Sequence, residues 1–279
     1  MKITKNDTDN GRTYEIKFDN GETRSLISVT TVINAILAKP ALVPWAFNLG
    51  VENTHKLIAK DAQRMIKEDR IEEYILALAQ DPSIMSKMTK DRLSTNEMTT
   101  KDFSSQSADR GTLVHKYLEK KIKGQATVGM RDKTEMYTSQ VNRFIEEYGV
   151  EFHASEMTVF SLDKEYAGTL DAICTITKHP KRRRHKPLIG KTMILDLKTN
   201  KNGQVYKQAQ FPQLTAYEVA VGNMRDQGFI TNEVPFIEGS MIVAAGPDKY
   251  GIGVNDYPVN SFDVIHEVFK MYESTKEGK

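Results

Sequence analysis

The sequence predicts an α/β fold, and two kinds of periodicity lead to that prediction. Short apolar runs rich in β-branched residues, at 168–176 and 193–199, have the length and composition of buried strands. Apolar residues recur at helical spacing over 51–79, 111–123 and 134–148, with charged residues between them. Strands and helices therefore alternate along the chain, which is typical of a sheet covered by helices.

The N-terminal region predicts a small β-hairpin followed by helices. Residues 13–18 and 24–29 alternate polar and apolar side chains around Asp19-Asn20-Gly21, a strong turn signal. Thr30 or Thr31 can cap a helix that Pro40 would end, and a second helix is expected from about Ala41. We expect this N-terminal hairpin and helical elaboration to span 1–108 and the core to span 109–279.

Composition limits the possible classes of protein. The chain has 279 residues, 39% of them apolar, and a formal net charge of +2, so the overall charge does not indicate a nucleic-acid-binding protein. A single cysteine, Cys174, excludes an intrachain disulfide and any four-cysteine metal cluster. No apolar run reaches the length that spans a bilayer and no apolar leader is visible, so we expect a cytoplasmic protein without a membrane partner.

Two predicted strands each carry one aspartate at an end, Asp171 on the first and Asp196 on the second. Side chains two apart on a strand share a face, so Asp196 and Lys198 point one way while Leu195 and Leu197 point to the buried side. Burying a carboxylate and an amine is costly unless something binds there. A divalent cation held by the two aspartates is the simplest occupant.

Two further polar residues are candidates for the same site. His115 lies on the predicted helix at 111–123 and shares a face with Glu119, which we interpret as a salt-bridge partner. A neutral imidazole can bind a divalent metal, although a lone histidine is more often structural. Glu151 and Glu156 compete for a third acidic position, and Glu156 fits better because it comes directly before the strand expected to pair with 168–177.

Five motifs in order resemble the PD-(D/E)xK nuclease superfamily, and within it the RecB-like exonuclease branch. They are Gly111-Thr112-Leu113-Val114-His115, Glu156, Gly168-Thr169-Leu170-Asp171, Asp196-Leu197-Lys198, and Gln213 with Tyr217. The resemblance covers about the C-terminal two thirds of the chain. It implies a restriction-endonuclease-like core, with a central mixed β-sheet flanked by helices. Segments like 28–32 and 39–45 also occur in phage proteins of this branch, which favours a phage or mobile-element source and the host cytoplasm.

The resemblance implies a Mg²⁺- or Mn²⁺-dependent exonuclease that hydrolyses phosphodiester bonds at DNA ends. One or two ions would be held by Asp171, Asp196, the Leu197 carbonyl and His115, while Lys198 and Glu156 would complete the catalytic set. Gln213 and Tyr217 would line the DNA path, and the lone cysteine excludes the iron–sulfur cluster of some relatives. The enzyme would act alone or beside a recombination or single-strand-binding protein. A weak or inactive DNA-binding recombination accessory protein and a structure-specific endonuclease remain alternatives.

Four segments outside the motifs share features with patterns that bind DNA or nucleotide. Lys39 and Trp45 form a basic and aromatic pair suited to single-stranded DNA, although Trp45 can equally be a core residue. The loop at 178–186 contains Arg182, Arg183 and Arg184, which can grip phosphates or simply be solvated. The polar stretch at 81–109 is a candidate for ordering on DNA. Gly190-Lys191-Thr192 resembles the end of a phosphate-binding loop, but a strand follows it, so we expect no ATP site.

Overall fold

A computed structural model describes residues 1–8, 11–37, 42–80, 90–95, 98–127, 131–178, 187–231 and 233–277. The chain forms two compact units, one of residues 1–38 with 110–279 and one of residues 39–109. The described strands are β1 (Lys2–Thr8), β2 (Gly11–Lys17), β3 (Thr23–Ser28), β4 (Val150–Ser161), β5 (Tyr166–Ile176), β6 (Thr192–Thr199), β7 (Gly239–Ala245) and β8 (Tyr250–Val254). The described helices are α1 (Val29–Ile36), α2 (Leu42–Lys67), α3 (Ile71–Gln80), α4 (Thr100–Ile122), α5 (Arg131–Tyr148), α6 (Lys207–Asp226) and α7 (Ser261–Glu277).

The first unit is built on one mixed sheet of eight strands. Seven strands follow the order β1-β2-β3-β5-β6-β7-β8, and β4 pairs with β5 outside that path. The pairs β3–β5 and β6–β7 are parallel, whereas the other pairs are antiparallel. This architecture confirms the predicted α/β class, with a mixed sheet and N-terminal hairpin strands.

The central strand β5 shares one of its edges between two partners. β4 pairs with β5 from Tyr166 to Ile176, so it covers one edge for the full length. On the opposite edge, β6 pairs with residues 172–175 and β3 with residues 166 and 167. Residues 168–171 of that edge therefore lie where the sheet splits, and their backbone pairs there with no described strand.

Apolar side chains fill both faces of the sheet. One core cluster joins the hairpin and α1 to α6 and α7, with Tyr14, Phe211 and Phe262 among its fully buried members. The other cluster joins α4 and α5 to the opposite face through residues such as Val114 and Phe144. The sheet is therefore a middle layer between helices, as expected for an α/β protein.

Two N-terminal features differ from the sequence prediction. β1 was not predicted, because its side chains are mostly exposed and do not alternate; it is an edge strand defined by its pairing with β2. The predicted division grouped 1–108, whereas residues 1–38 share the sheet of the core because β3 pairs with β5. That parallel pairing joins residues more than a hundred positions apart, which no local pattern reveals.

The second unit is helical, as predicted for 51–79. Asn53 of α2 is buried and donates a hydrogen bond from Nδ2 to the Met98 carbonyl (2.9 Å). The buried Asp61 carboxylate pairs with both terminal nitrogens of Arg92. α4 begins at Thr100, eleven residues before the predicted start, so part of the polar stretch at 81–109 is helical. No helix in the described parts of the chain is long and apolar enough to cross a membrane.

Helix α7 docks on the sheet through a buried histidine. The His266 ring stacks on Phe262 with centroids 5.6 Å apart and meets the Tyr166 ring edge-on at 5.8 Å. Burial, with the nearby Lys270 charge, lowers the pKa of His266 below its ordinary value. The neutral ring is therefore the form that packs best.

We expect His266 to make the protein less stable in acid. A histidine with a lowered pKa in the folded state stabilises above its unfolded pKa of about 6.5, and that contribution is lost as the pH falls. The variant His266→Phe keeps an aromatic ring but cannot be protonated. Between pH 8 and pH 5 the melting temperature should fall less for His266→Phe than for the wild type. Parallel pH profiles would contradict this role.

Candidate functional site

The candidate site lies at the split in the sheet, where three strands each provide a carboxylate. Pairing between β5 and β6 ends at Ala172 and Leu195, so Asp171 and Asp196 are the next residues on the two strands. On the other side of β5, Ser155 and Met157 pair with Ala172 and Leu170, which places Glu156 of β4 beside Asp171. Like charges on neighbouring strands repel one another, so this arrangement favours a bound cation.

Helix α4 adds His115 to this cluster. The helix approaches the end of β6 at Gly111, where a Cβ atom would lie 3.4 Å from Thr199 Oγ1. One turn later His115 Nδ1 lies 3.0 Å from Asp171 Oδ1. Potential ligand atoms of His115, Glu156 and Asp171 all lie within 4.8 Å of one another. Two carboxylates and an imidazole at that spacing form a plausible donor set for one divalent cation.

The backbone of β6 helps to hold Asp171. The Leu197 N–H donates a hydrogen bond to Asp171 Oδ2 (2.6 Å), beyond the last β5–β6 pair. The carboxylate thus takes the place of a strand partner at the split, while the Leu197 side chain is buried on the opposite face. This contact fixes one Asp171 oxygen against β6 and the other against His115.

Asp196 is the most buried acid of the site, with 2% of its side chain exposed. Its Oδ1 accepts a hydrogen bond from Gln213 Nε2 (3.1 Å). Its Oδ2 forms an ion pair with Lys198 Nζ at 2.6 Å. As predicted from their spacing, Asp196 and Lys198 share a face. The ammonium occupies the position beside Oδ2 that a metal ion could take.

The charges of the site are strongly coupled. Burial favours a neutral Asp171, but His115 and Lys198 outweigh it and lower the pKa of Asp171. Burial raises the pKa of Asp196, and the Asp171 charge raises it further. The Lys198 charge acts in the opposite direction but does not outweigh burial. Burial and the Asp171 charge also raise the pKa of Glu156. Without a cation the site thus resists carrying three negative charges together.

The two cationic side chains respond to the same carboxylates. Burial disfavours a charged His115, yet the adjacent Asp171 outweighs it and raises the pKa of the imidazole. Burial likewise opposes a charged Lys198, but Asp196 and Asp171 raise the pKa of its amine. Both groups therefore act as counter-ions of the aspartates.

Gln213 and Tyr217, which were predicted to line the DNA path, lie behind the site. Their exposed fractions are 7% and 1%. Gln213 Nε2 donates to Asp196 Oδ1 and also lies 2.8 Å from the Tyr217 hydroxyl. Gln213 contacts Asp196 directly and Tyr217 contacts Gln213, so we assign the pair to orienting Asp196.

Gly168 is required for the position of Tyr217. A Cβ atom at Gly168 would lie 2.4 Å from Tyr217 Cε1, closer than any real contact. The aromatic ring therefore rests directly on the β5 backbone in the unpaired stretch of the edge. Packing of the Tyr217 ring, and not a chemical role, therefore explains the glycine in the motif that ends at Asp171.

We expect Gly168→Ala to destabilise the fold by about 1–3 kcal/mol, because the new methyl group forces Tyr217 away. Gly222→Ala is the matched control, since a Cβ there on α6 has no atom within 4 Å and alanine favours a helix by about 1 kcal/mol. Chemical denaturation measures both values. An equal effect of the two substitutions would rule out the close Gly168–Tyr217 packing.

Glu156 has a backbone conformation that its sequence does not reveal. Its φ is +50°, in the left-handed region that favours glycine. Such a conformation in a non-glycine residue costs about 1–3 kcal/mol and is concentrated at functional sites. The twist falls where β4 passes Asp171, and the carboxylate joins the cluster with His115 and Asp171.

The other residues predicted to contact DNA fall outside the part of the chain that the structure describes. Lys39, Arg182, Arg183 and Arg184 lie outside the described residues. Trp45 belongs to α2, but its side chain is also outside the described set.

Comparisons with known proteins add little to the site. No protein-family model matches the chain, and no curated protein matches it. The chain is similar to a solved structure titled "Crystal structure of SSO0001", with 14% sequence identity and a TM-score of 0.27. The alignment covers 58% of this chain and 84% of that one. At that TM-score the likeness does not assign a family.

Proposed function

We propose that this protein is a Mg²⁺- or Mn²⁺-dependent deoxyribonuclease of the PD-(D/E)xK type, which hydrolyses phosphodiester bonds at DNA ends. The convergence of Glu156, Asp171 and Asp196 with Lys198 at the split in the sheet supports it most strongly. A mixed sheet between helices is compatible with a restriction-endonuclease-like core.

The side chains of the site fit a hard divalent cation. Carboxylate oxygens are the ligands that Mg²⁺ and Mn²⁺ prefer, and one imidazole is compatible with Mn²⁺. Asp171, Glu156 and His115 would hold one ion, and Asp196 would share it or help to hold a second. When bound, the metal makes a coordinated water more acidic and withdraws charge from the phosphate.

Lys198 is placed to act on the phosphate or on the attacking water. Its side chain is 28% exposed, so part of it is accessible from the surface, and its ammonium lies 2.6 Å from Asp196 Oδ2. It can donate a hydrogen bond to a phosphate oxygen or orient the attacking water, but it is not the base while the aspartates hold the pKa of its amine above the ordinary value. The water oxygen would bond to phosphorus, the bond from phosphorus to the 3′ oxygen would break, and that oxygen would take up a proton. The products are a 5′-phosphate and a 3′-hydroxyl.

His115 and Gln213 would act by positioning. His115 orients one oxygen of Asp171 and Gln213 orients one oxygen of Asp196, which leaves Asp196 Oδ2 for Lys198 or a metal. A carboxylate held on one side cannot rotate away when the ammonium leaves it. This preorganisation lowers the cost of assembling the charged site.

We propose an exonuclease because the His115 helix and the Gln213 and Tyr217 pair resemble the end-processing branch. The test uses end-labelled linear DNA and covalently closed circular DNA with Mg²⁺ or Mn²⁺. Cleavage should consume linear DNA from its ends and leave closed circles intact. Nicking of closed circles would instead favour an endonuclease, and the absence of cleavage with either metal would favour a DNA-binding accessory protein.

A further inference from the structure

The N-terminal hairpin carries a lysine toward the candidate site. In the β1–β2 register Lys5 is opposite Tyr14, Ile3 is opposite Ile16, and Asp7 is opposite Arg12. Cross-strand partners share a face of the sheet, and Tyr14 and Ile16 are fully buried in the core. Lys5 therefore lies on the core-facing side of the edge strand, although its own side chain is exposed.

Tyr14 connects that face to the strands of the site. Its hydroxyl lies 3.0 Å from Thr169 Oγ1, which in turn lies 3.5 Å from Thr158 Oγ1. Thr169 precedes Asp171 by two residues on β5, and Thr158 follows Glu156 by two on β4. Tyr14, the cross-strand partner of Lys5, therefore contacts β5 two residues from Asp171.

Lys5 is a cation without an ion-pair partner among the described residues. Two arginines on the same face are already paired: Arg12 is held by Asp7 through two hydrogen bonds of 2.7 and 3.2 Å, and Arg24 pairs with Glu22 at 2.6 Å. Within the site, Lys198 pairs with Asp196. The Lys5 charge still reaches the cluster, because it opposes the burial that raises the pKa of Glu156.

An anionic substrate needs such a cation. A DNA phosphate that approaches three carboxylates is repelled, and in the free protein Lys198 is paired with Asp196. An exposed ammonium at the side of the cluster would attract a neighbouring phosphate without neutralising the metal ligands.

We propose that Lys5 binds a backbone phosphate of the DNA strand beside the phosphodiester that is cleaved. This assignment rests on the proposed nuclease function and adds to it a substrate contact on the N-terminal hairpin. The chemistry recognised is a phosphodiester in a single-stranded end, bound without regard to base sequence.

The test compares Lys5→Gln with Lys2→Gln, a control on the opposite face of the same strand. Binding of a short fluorescent single strand is measured by anisotropy with Ca²⁺ in place of Mg²⁺, over a series of salt concentrations. Lys5→Gln should weaken binding roughly fivefold, the effect of about 1 kcal/mol. It should also reduce the slope of log affinity against log salt by about 0.7. Lys2→Gln should change neither value.

Other results would overturn the assignment. Equal salt slopes for Lys5→Gln and the wild type would exclude a phosphate contact. A change in melting temperature with an unchanged slope would show that Lys5 only balances the acidic cluster. In another such result, a low concentration of inorganic phosphate displaces the strand from the wild type and not from Lys5→Gln. That result would assign Lys5 to a site for free phosphate and not for DNA. If the wild type binds DNA but never cleaves it, the proposed nuclease function is refuted and the Lys5 comparison stays valid. If the wild type does not bind DNA at all, both the nuclease function and the Lys5 contact are refuted.

Discussion

Replacing Asp196 with asparagine should reduce DNA cleavage by about 10³-fold or more. Asparagine keeps an oxygen that can accept the hydrogen bond from Gln213, but it cannot hold a cation or pair with Lys198. Charge stabilisation by a bound metal is worth several kcal/mol in the transition state, at about 1.4 kcal/mol per tenfold in rate. Initial rates on end-labelled DNA measure the loss.

Folding must be separated from chemistry in this experiment. Burial already disfavours the charged form of Asp196 by raising its pKa, so a neutral asparagine should be accommodated in the folded protein. Asp248→Asn, an exposed position between β7 and β8, is the control and should keep full activity. Wild-type rates for folded Asp196→Asn would remove this carboxylate from the mechanism.

Replacing Glu156 with glycine should raise stability and lower activity together. Glycine adopts the φ of +50° without strain, and the substitution also removes a half-buried carboxylate beside Asp171. We expect a gain of about 1 kcal/mol in the free energy of unfolding. Loss of this ligand should slow cleavage by at least about 10- to 100-fold, which is the effect of losing even a residue that only orients a metal ligand.

Glu165→Gly provides the matched control. Glu165 also has a positive φ, +59°, but it lies between β4 and β5 and only forms an exposed ion pair of 3.4 Å with Lys270. That substitution should raise stability similarly while cleavage stays unchanged. If Glu156→Gly kept full activity, the strained conformation would have no role in the reaction.

Local patterns were sufficient to place the aspartate-bearing strands. The buried β-branched residues indicated a strand, and Asp196 and Lys198 are two positions apart on it. The prediction that they share a face was correct, because their charged groups lie 2.6 Å apart. The helix around His115 was equally clear from its apolar spacing, and the histidine contacts Asp171. These relations depend on a few neighbouring residues, so the sequence contains them.

Long-range relations could not be read in the same way. The positive φ of Glu156 follows from how β4 passes β5. A glutamate at that position does not indicate a left-handed conformation, so the sequence does not predict it. The burial of Tyr217 depends on close packing against Gly168, 49 positions earlier in the chain. The nearness of Lys5 to the site requires both the hairpin register and the β3–β5 pairing.

The central claim is that Asp171 and its neighbours bind a divalent cation. Crystals soaked in Mn²⁺ test it most directly, through an anomalous difference map of the wild type and of Asp171→Asn. We predict a peak within coordination distance of Asp171, Glu156 and His115 in the wild type, and its loss in Asp171→Asn. A wild-type map without a peak at these residues, with the ion pair between Asp196 and Lys198 intact, would contradict the claim.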